Sequence, residues 1–200
     1  MSLPRVLFVN GSLAGPSGNT AELLGLAELA LEGKAEIEHL DLSRRPHVDR
    51  ILEAVERADG FIFGTGTYWD SWSSRLQEFL EVTAHTEGFD LWVGKPAVLF
   101  ATAHAVGAKG MLSRLMGVLN VYGLWFPPMA ALGVTYVNQT AYPHADDHLR
   151  NELWTPADVD TLCHNLHQAL IGAHDWRRWP TNSGRYGEKW LFCCSERDSG

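Results

Sequence analysis

The 200-residue chain is poor in cysteine, has no long apolar run and carries no surplus of basic residues. Each shortage excludes a class of protein. Of the three cysteines, Cys163 falls in a helical pattern, and Cys193 and Cys194 stand side by side near the end. An odd count without framework spacing is not that of a disulfide-stapled secreted domain. The two tail thiols have no activating neighbour and are expected to have no role. No stretch approaches the roughly 18 apolar residues that span a bilayer. Met1-Ser2-Leu3-Pro4-Arg5 leads straight into Val6-Leu7-Phe8-Val9, too short a lead for a signal peptide. Lys and Arg number 16 against 24 Asp and Glu, a formal charge of −8. No excess of cations is left to neutralise a phosphate backbone, so nucleic acid is not an expected partner. The expectation is a cytoplasmic protein without a membrane partner.

Several motifs are also missing. No Gly-Lys-Ser/Thr follows the first glycine-rich loop, which excludes a Walker A site, and Leu13 stands where a dinucleotide fingerprint needs its second glycine. No Gly-x-Ser-x-Gly elbow is present, so the chain is not read as an α/β-hydrolase. His144 and His148 are four apart, and His164 and His167 three apart, but no carboxylate or cysteine pattern surrounds them. No metal site is expected.

What is present is an ordinary core: 46% hydrophobic and 20% charged residues, enough for one sizeable domain. Strand-like runs are Val6 to Asn10, Ile37 to Leu42, Gly60 to Thr65, Ala97 to Thr102 and Ala131 to Tyr136. Three are almost continuously apolar, as strands buried on both faces of a parallel sheet must be. Helical stripes lie between them, beginning with Leu23, Leu24, Ala27, Ala30 and Leu31, which Gly33 ends, then Ile51, Leu52 and Val55. Trp72 to Thr83 and Leu112 to Leu119 form two more. The last runs from Val159 to Leu170 behind Thr155-Pro156-Ala157-Asp158, a capped start. The pattern predicts an α/β fold, a doubly wound five-stranded parallel sheet of order 2-1-3-4-5 with helices on both faces. It occupies residues 1–172, and 173–200 form an irregular tail holding Trp176, Trp179 and Trp190.

In such a sheet, ligands bind beyond the carboxyl ends of the strands, where the strand order reverses. Three unusual loops converge there. The first, Asn10 to Thr20, offers Ser12, Ser17, Asn19 and Thr20 among glycines at a helix start, a nest for a phosphate monoester. The second holds Thr65, Gly66, Thr67, Tyr68 and Trp69, hydroxyls beside two aromatics on which a flat ring can stack. The third runs through Ala103, His104 and Gly107 to Lys109. Its small residues allow close backbone approach, and His104 is the candidate catalytic residue because imidazole exchanges protons near neutral pH.

At these residues the sequence resembles the NADPH-dependent FMN reductase family of flavodoxin-like proteins. The resemblance covers roughly residues 4 to 136. It rests on Gly11-Ser12 with Ser17-Gly18-Asn19-Thr20, and on Thr65-Gly66-Thr67-Tyr68-Trp69 followed by Ser73 and Leu76-Gln77-Glu78-Phe79-Leu80-Glu81. Gly66 stands where the family has proline, and His104 where it has glycine. The resemblance implies FMN as cofactor, NAD(P)H as electron donor, and a homodimer or homotetramer. The expected activity is two-electron transfer from NAD(P)H to a quinone, a nitro or azo compound, or free flavin. Two alternatives stay open: a flavodoxin-type electron carrier, and a flavin-less interaction domain that uses the tail as its contact.

Overall fold

A computed structural model describes residues 2–173 together with Asp175 and Arg177. Five parallel strands, β1 (Arg5–Asn10), β2 (Glu36–Asp41), β3 (Gly60–Gly66), β4 (Ala97–Ala103) and β5 (Ala131–Thr135), form one sheet of order β2-β1-β3-β4-β5. The flavodoxin-like topology read from the sequence is the observed one.

Alternation along each strand explains the apolar runs. Leu7, Val9, Phe61, Phe63, Leu99 and Ala101 face one layer. That layer consists of helices α2 (Val48–Arg57), α3 (Ser74–Thr83) and α4 (Ala108–Tyr122). Val6, Phe8, Ile62, Val98, Phe100 and Leu132 face the other, helix α1 (Asn19–Ala30) and the late helix α7 (Val159–Leu170). Both faces are covered, so neither set of positions can be polar. Two short helices, α5 (Tyr136–Ala141) and α6 (Asp147–Arg150), fill the connection between β5 and α7.

The first layer is anchored by Trp92, which is fully buried. Its indole lies 5.4 Å from the ring of Phe61 and 5.1 Å from that of Tyr122, and its N–H donates to Thr86 Oγ1 at 3.0 Å. A buried indole with its one donor satisfied adds area and edge contacts at little polar cost. The second layer contains Cys163, wholly buried, whose thiol burial pushes well above the usual range and so keeps protonated. Cys193, Cys194 and the tail tryptophans lie outside the described residues.

Register sets the working edge. Gly66 pairs with Thr102 and Ala103 with Thr135, so β3, β4 and β5 end level with one another. The loops after β1, β3 and β4 therefore meet at one edge, with the reversal of strand order between β1 and β3.

Candidate functional site

Loop 1 is folded by its own first residue. The buried Asn10 side chain accepts from Ser12 N at 3.0 Å and donates to Gly15 O at 3.1 Å. The nearly buried Ser12 hydroxyl accepts from Ala14 N at 3.3 Å, which closes a second small turn. Ser17 is exposed and donates to Ala14 O, so it does not cap the helix that follows. That helix, α1, has Gly18 as its N-cap and no side-chain cap. Asn19 is exposed at its first turn. Thr20 points the other way: its buried hydroxyl is 3.1 Å from Thr102 Oγ1, and its methyl lies against Gly64.

The same omission recurs at loop 3. α4 starts at Gly107, again with no side-chain cap. By contrast α2, α3, α5 and α6 are capped by His47, Ser73, Thr135 and Asp146. An uncapped helix start leaves backbone N–H groups and the positive end of the dipole available to an anion. Of the three helices that begin at the expected ligand loops, α1 and α4 are left without such a cap and α3 is capped by Ser73, whereas α7 follows a 3-10 turn that has its own capping box.

Loop 2 lies between them. Thr65 is buried; its hydroxyl donates to Gly66 O and accepts from Ser73 N at 3.2 Å. Ser73, also buried, caps α3 and donates to Gly11 O, which ties loop 2 to loop 1. A side chain at Gly66 would meet the ring of Tyr68, which folds back over it. Thr67 N donates to Thr102 O at 2.7 Å, but its hydroxyl is buried with no partner. An orphaned hydroxyl of that kind is uncommon and calls for an absent partner. Trp69 and Asp70 then form the tip of a two-residue hairpin, closed by reciprocal bonds between Tyr68 and Ser71 at 2.8 and 3.0 Å. Arg114 of α4 donates to Asp70 O, and the Asp70 carboxylate sits over Gly107, whose φ of +91° and missing side chain admit it.

In loop 3, Ala103 is half-buried at the end of β4, and His104 is exposed. The His104 ring stacks on Tyr136, centroids 5.2 Å apart and planes 21° from parallel, and its carbonyl accepts from Val137 N. Tyr136 was not singled out from the sequence, yet the strand order carries the signal, since residues following paired strand ends are neighbours. Arg114 was missed too. Only its helical spacing from Gly107 hints at it. A cleft of about 360 Å³ adjoins the outer side of loop 1, lined by Phe8, Asn10, Pro16, Leu24, His39 and Arg44 among others. Among the described residues no group of three or more metal-ligating side chains converges, and His164 Nε2 is instead 2.7 Å from Asp175 O. No helix among them is long and apolar enough to cross a membrane.

A sequence profile described as NADPH-dependent FMN reductase matches residues 4–139. The chain belongs to that family. The family's description names FMN and NADPH. It is 31% identical over 120 residues to an NAD(P)H dehydrogenase (quinone) of Chelativorans sp. (strain BNC1). That stretch covers 58% of this chain and 59% of the relative, so the chain spans less than two thirds of that relative's length. Solved structures agree on the fold. RosB with a bound 8-demethyl-8-formylriboflavin-5'-phosphate has a TM-score of 0.67 at 18% identity, covering 84% of this chain and 79% of that one. A flavodoxin, WrbA-like protein from Agrobacterium tumefaciens has a TM-score of 0.58 at 18% identity, covering 85% and 97%.

Proposed function

We propose that this chain holds FMN across loops 1, 2 and 3 and passes two electrons from NAD(P)H to a small-molecule acceptor, a quinone, a nitro or azo compound or free flavin. It acts as a cytoplasmic homodimer or homotetramer. One observation carries the reading: α1 and α4 begin without a side-chain cap at the loops after β1 and β4, and the orphaned Thr67 hydroxyl belongs to the loop after β3, the strand between them. FMN fits that arrangement, since it combines a dianionic phosphate, a planar ring and a polar ring edge.

In this reading the α1 N-terminus, with the hydroxyls of Ser12 and Ser17 and the amide of Asn19, holds the phosphate without a cation. Thr20 contributes its backbone amide, because its hydroxyl is committed to Thr102. The Thr65 side chain is taken up by Ser73 and Gly66 and keeps loop 2 in shape. Thr67 gives the ring edge the hydrogen bond its hydroxyl lacks, while the backbone at Gly66, Ala103 and Gly107 lets the ring approach closely. When bound, FMN would supply the redox chemistry, hydride acceptance from the nicotinamide and two-electron donation to the acceptor. A quinone that gains a hydride needs one more proton, and in this reading His104, exposed and stacked on Tyr136, would give it.

The test is the visible spectrum of the purified protein with added FMN, followed by NADPH without oxygen. Flavin bands that bleach on NADPH addition are expected. Bands that persist after NADPH, with a stable one-electron form during chemical titration, would indicate an electron carrier. The absence of bands under every condition would indicate the flavin-less domain.

A further inference from the structure

The residue hardest to account for by folding is Trp69. It is 102% exposed, so its indole packs against nothing among the described residues. It also occupies a costly backbone position. Trp69 has φ +48° and Asp70 φ +59°, consecutive left-handed residues with side chains, where hairpins of this kind favour Asn, Asp or Gly. A tryptophan that gains no burial and strains its own turn has been placed for reach.

The turn under it is held from three sides. Tyr68 and Ser71 close it, Arg114 grips the Asp70 carbonyl, and the Asp70 carboxylate seats on Gly107. Tyr68, its aromatic neighbour, folds back over Gly66 and is 37% exposed. The outcome is one large aromatic surface, wholly in water, on a braced support at the edge where loops 2 and 3 meet.

We propose that Trp69 is the stacking surface for the exchangeable redox substrate, the planar ring of the nicotinamide or quinone that visits the site, and is not part of the FMN cradle. This rests on the flavin reading above. It makes Trp69 a residue that sets specificity: acceptors with flat aromatic rings are favoured over aliphatic ones of equal potential. Occupancy by either ring would bury an indole face that the fold leaves in solvent, and aromatic contact of this type is worth about tenfold in affinity.

The experiment uses the full chain loaded with FMN and without reductant, titrated calorimetrically with menadione, a two-ring quinone, and separately with NADP⁺. Wild type is compared with Trp69→Asn and Trp69→Phe. Asn suits the left-handed turn better than Trp, so Trp69→Asn should melt at an equal or higher temperature while binding both ligands about tenfold more weakly. Phe should keep affinity to within about threefold of wild type. FMN affinity, read by quenching of flavin fluorescence, and sedimenting mass should match wild type in both variants. Unchanged affinity for both rings in Trp69→Asn, or no binding of either ring by wild type, overturns the proposal. So does a parallel loss of FMN affinity, which would return Trp69 to the flavin cradle, or a changed mass, which would make it a subunit contact. If wild type fails to bind FMN at all, the flavin reading fails with it. Every other outcome leaves that reading standing.

Discussion

Two serines near the site have opposite physical characters, and substitution should separate them. The Ser73 hydroxyl is buried, donates to Gly11 O and accepts from Leu76 N at 3.1 Å. Ser73→Ala removes a helix cap and strands a buried carbonyl, so stability measured by urea unfolding should fall by about 2 kcal/mol. Because Gly11 opens loop 1, proposed above to hold the phosphate, FMN affinity should fall with it. Ser17 is exposed and touches only Ala14 O. Ser17→Ala should leave unfolding within about 0.5 kcal/mol of wild type and weaken FMN binding alone. Equal effects on stability from the two changes would refute this assignment. The residue scale is also where sequence reading is weakest. Ser12, Ser17, Asn19 and Thr20 were all visible as polar groups near a helix start. That Thr20 turns inward to Thr102 and Ser17 leaves the helix uncapped depends on side-chain directions that no spacing encodes. The left-handed pair Trp69-Asp70 was illegible for a sharper reason: residue preference argues against it, and the bracing comes from Arg114, distant in sequence.

Elements were far more legible. The strand expected at Gly60 to Thr65 is Gly60–Gly66, that at Ala97 to Thr102 is Ala97–Ala103, and the last helical stripe matches Val159–Leu170 at both ends. Burial on both faces makes a parallel strand continuously apolar, and that is a strong signal. The third helix starts later than its stripe, because Ser73 caps it and Trp72 stays outside, its indole donating to Gln77 Oε1 at 2.8 Å. Helices α5 and α6, of 6 and 4 residues, were missed since neither is long enough to show a period. Helix α7 carries an electrostatic prediction of its own. His167 sits in its last turn, where the helix dipole favours a proton. Burial opposes this, as do the neighbouring Lys34 and His164, and the net effect is a pKa below the ordinary imidazole value. Its neutral form is therefore favoured by folding. The unfolded chain binds the extra proton first as pH drops, so this contribution is present above about pH 6.5 and declines as pH falls toward the depressed folded value. His167→Gln should flatten the wild-type loss of stability between about pH 7.5 and 5.5, read as the change in urea midpoint. A variant as steep as wild type would place the slope on other histidines.

At the scale of the whole molecule, the two core layers and the ligand edge make separable demands. The layers bury their apolar side chains without any ligand, whereas the carboxyl edge keeps two uncapped helix starts, an orphaned hydroxyl and a strained hairpin. Those features lower the stability of the empty protein; a ligand that is anionic at one end and flat and polar-edged at the other would satisfy the helix starts and the hydroxyl, and would leave the hairpin as it is. Binding linkage turns this into a measurement. A ligand present at 100 times its dissociation constant stabilises the native state by about 2.7 kcal/mol, which for a domain of this size raises the melting temperature by about 5–10 °C. FMN should produce a shift of that order. Riboflavin, which has the ring and lacks the phosphate, should produce under half of it at the same concentration, because the α1 N-terminus is then left without its anion. Inorganic phosphate alone should give a small shift, since it occupies loop 1 and leaves Thr67 unpaired. Equal shifts with FMN and riboflavin would show that loop 1 does not hold the phosphate, and would move the site toward loops 2 and 3 alone.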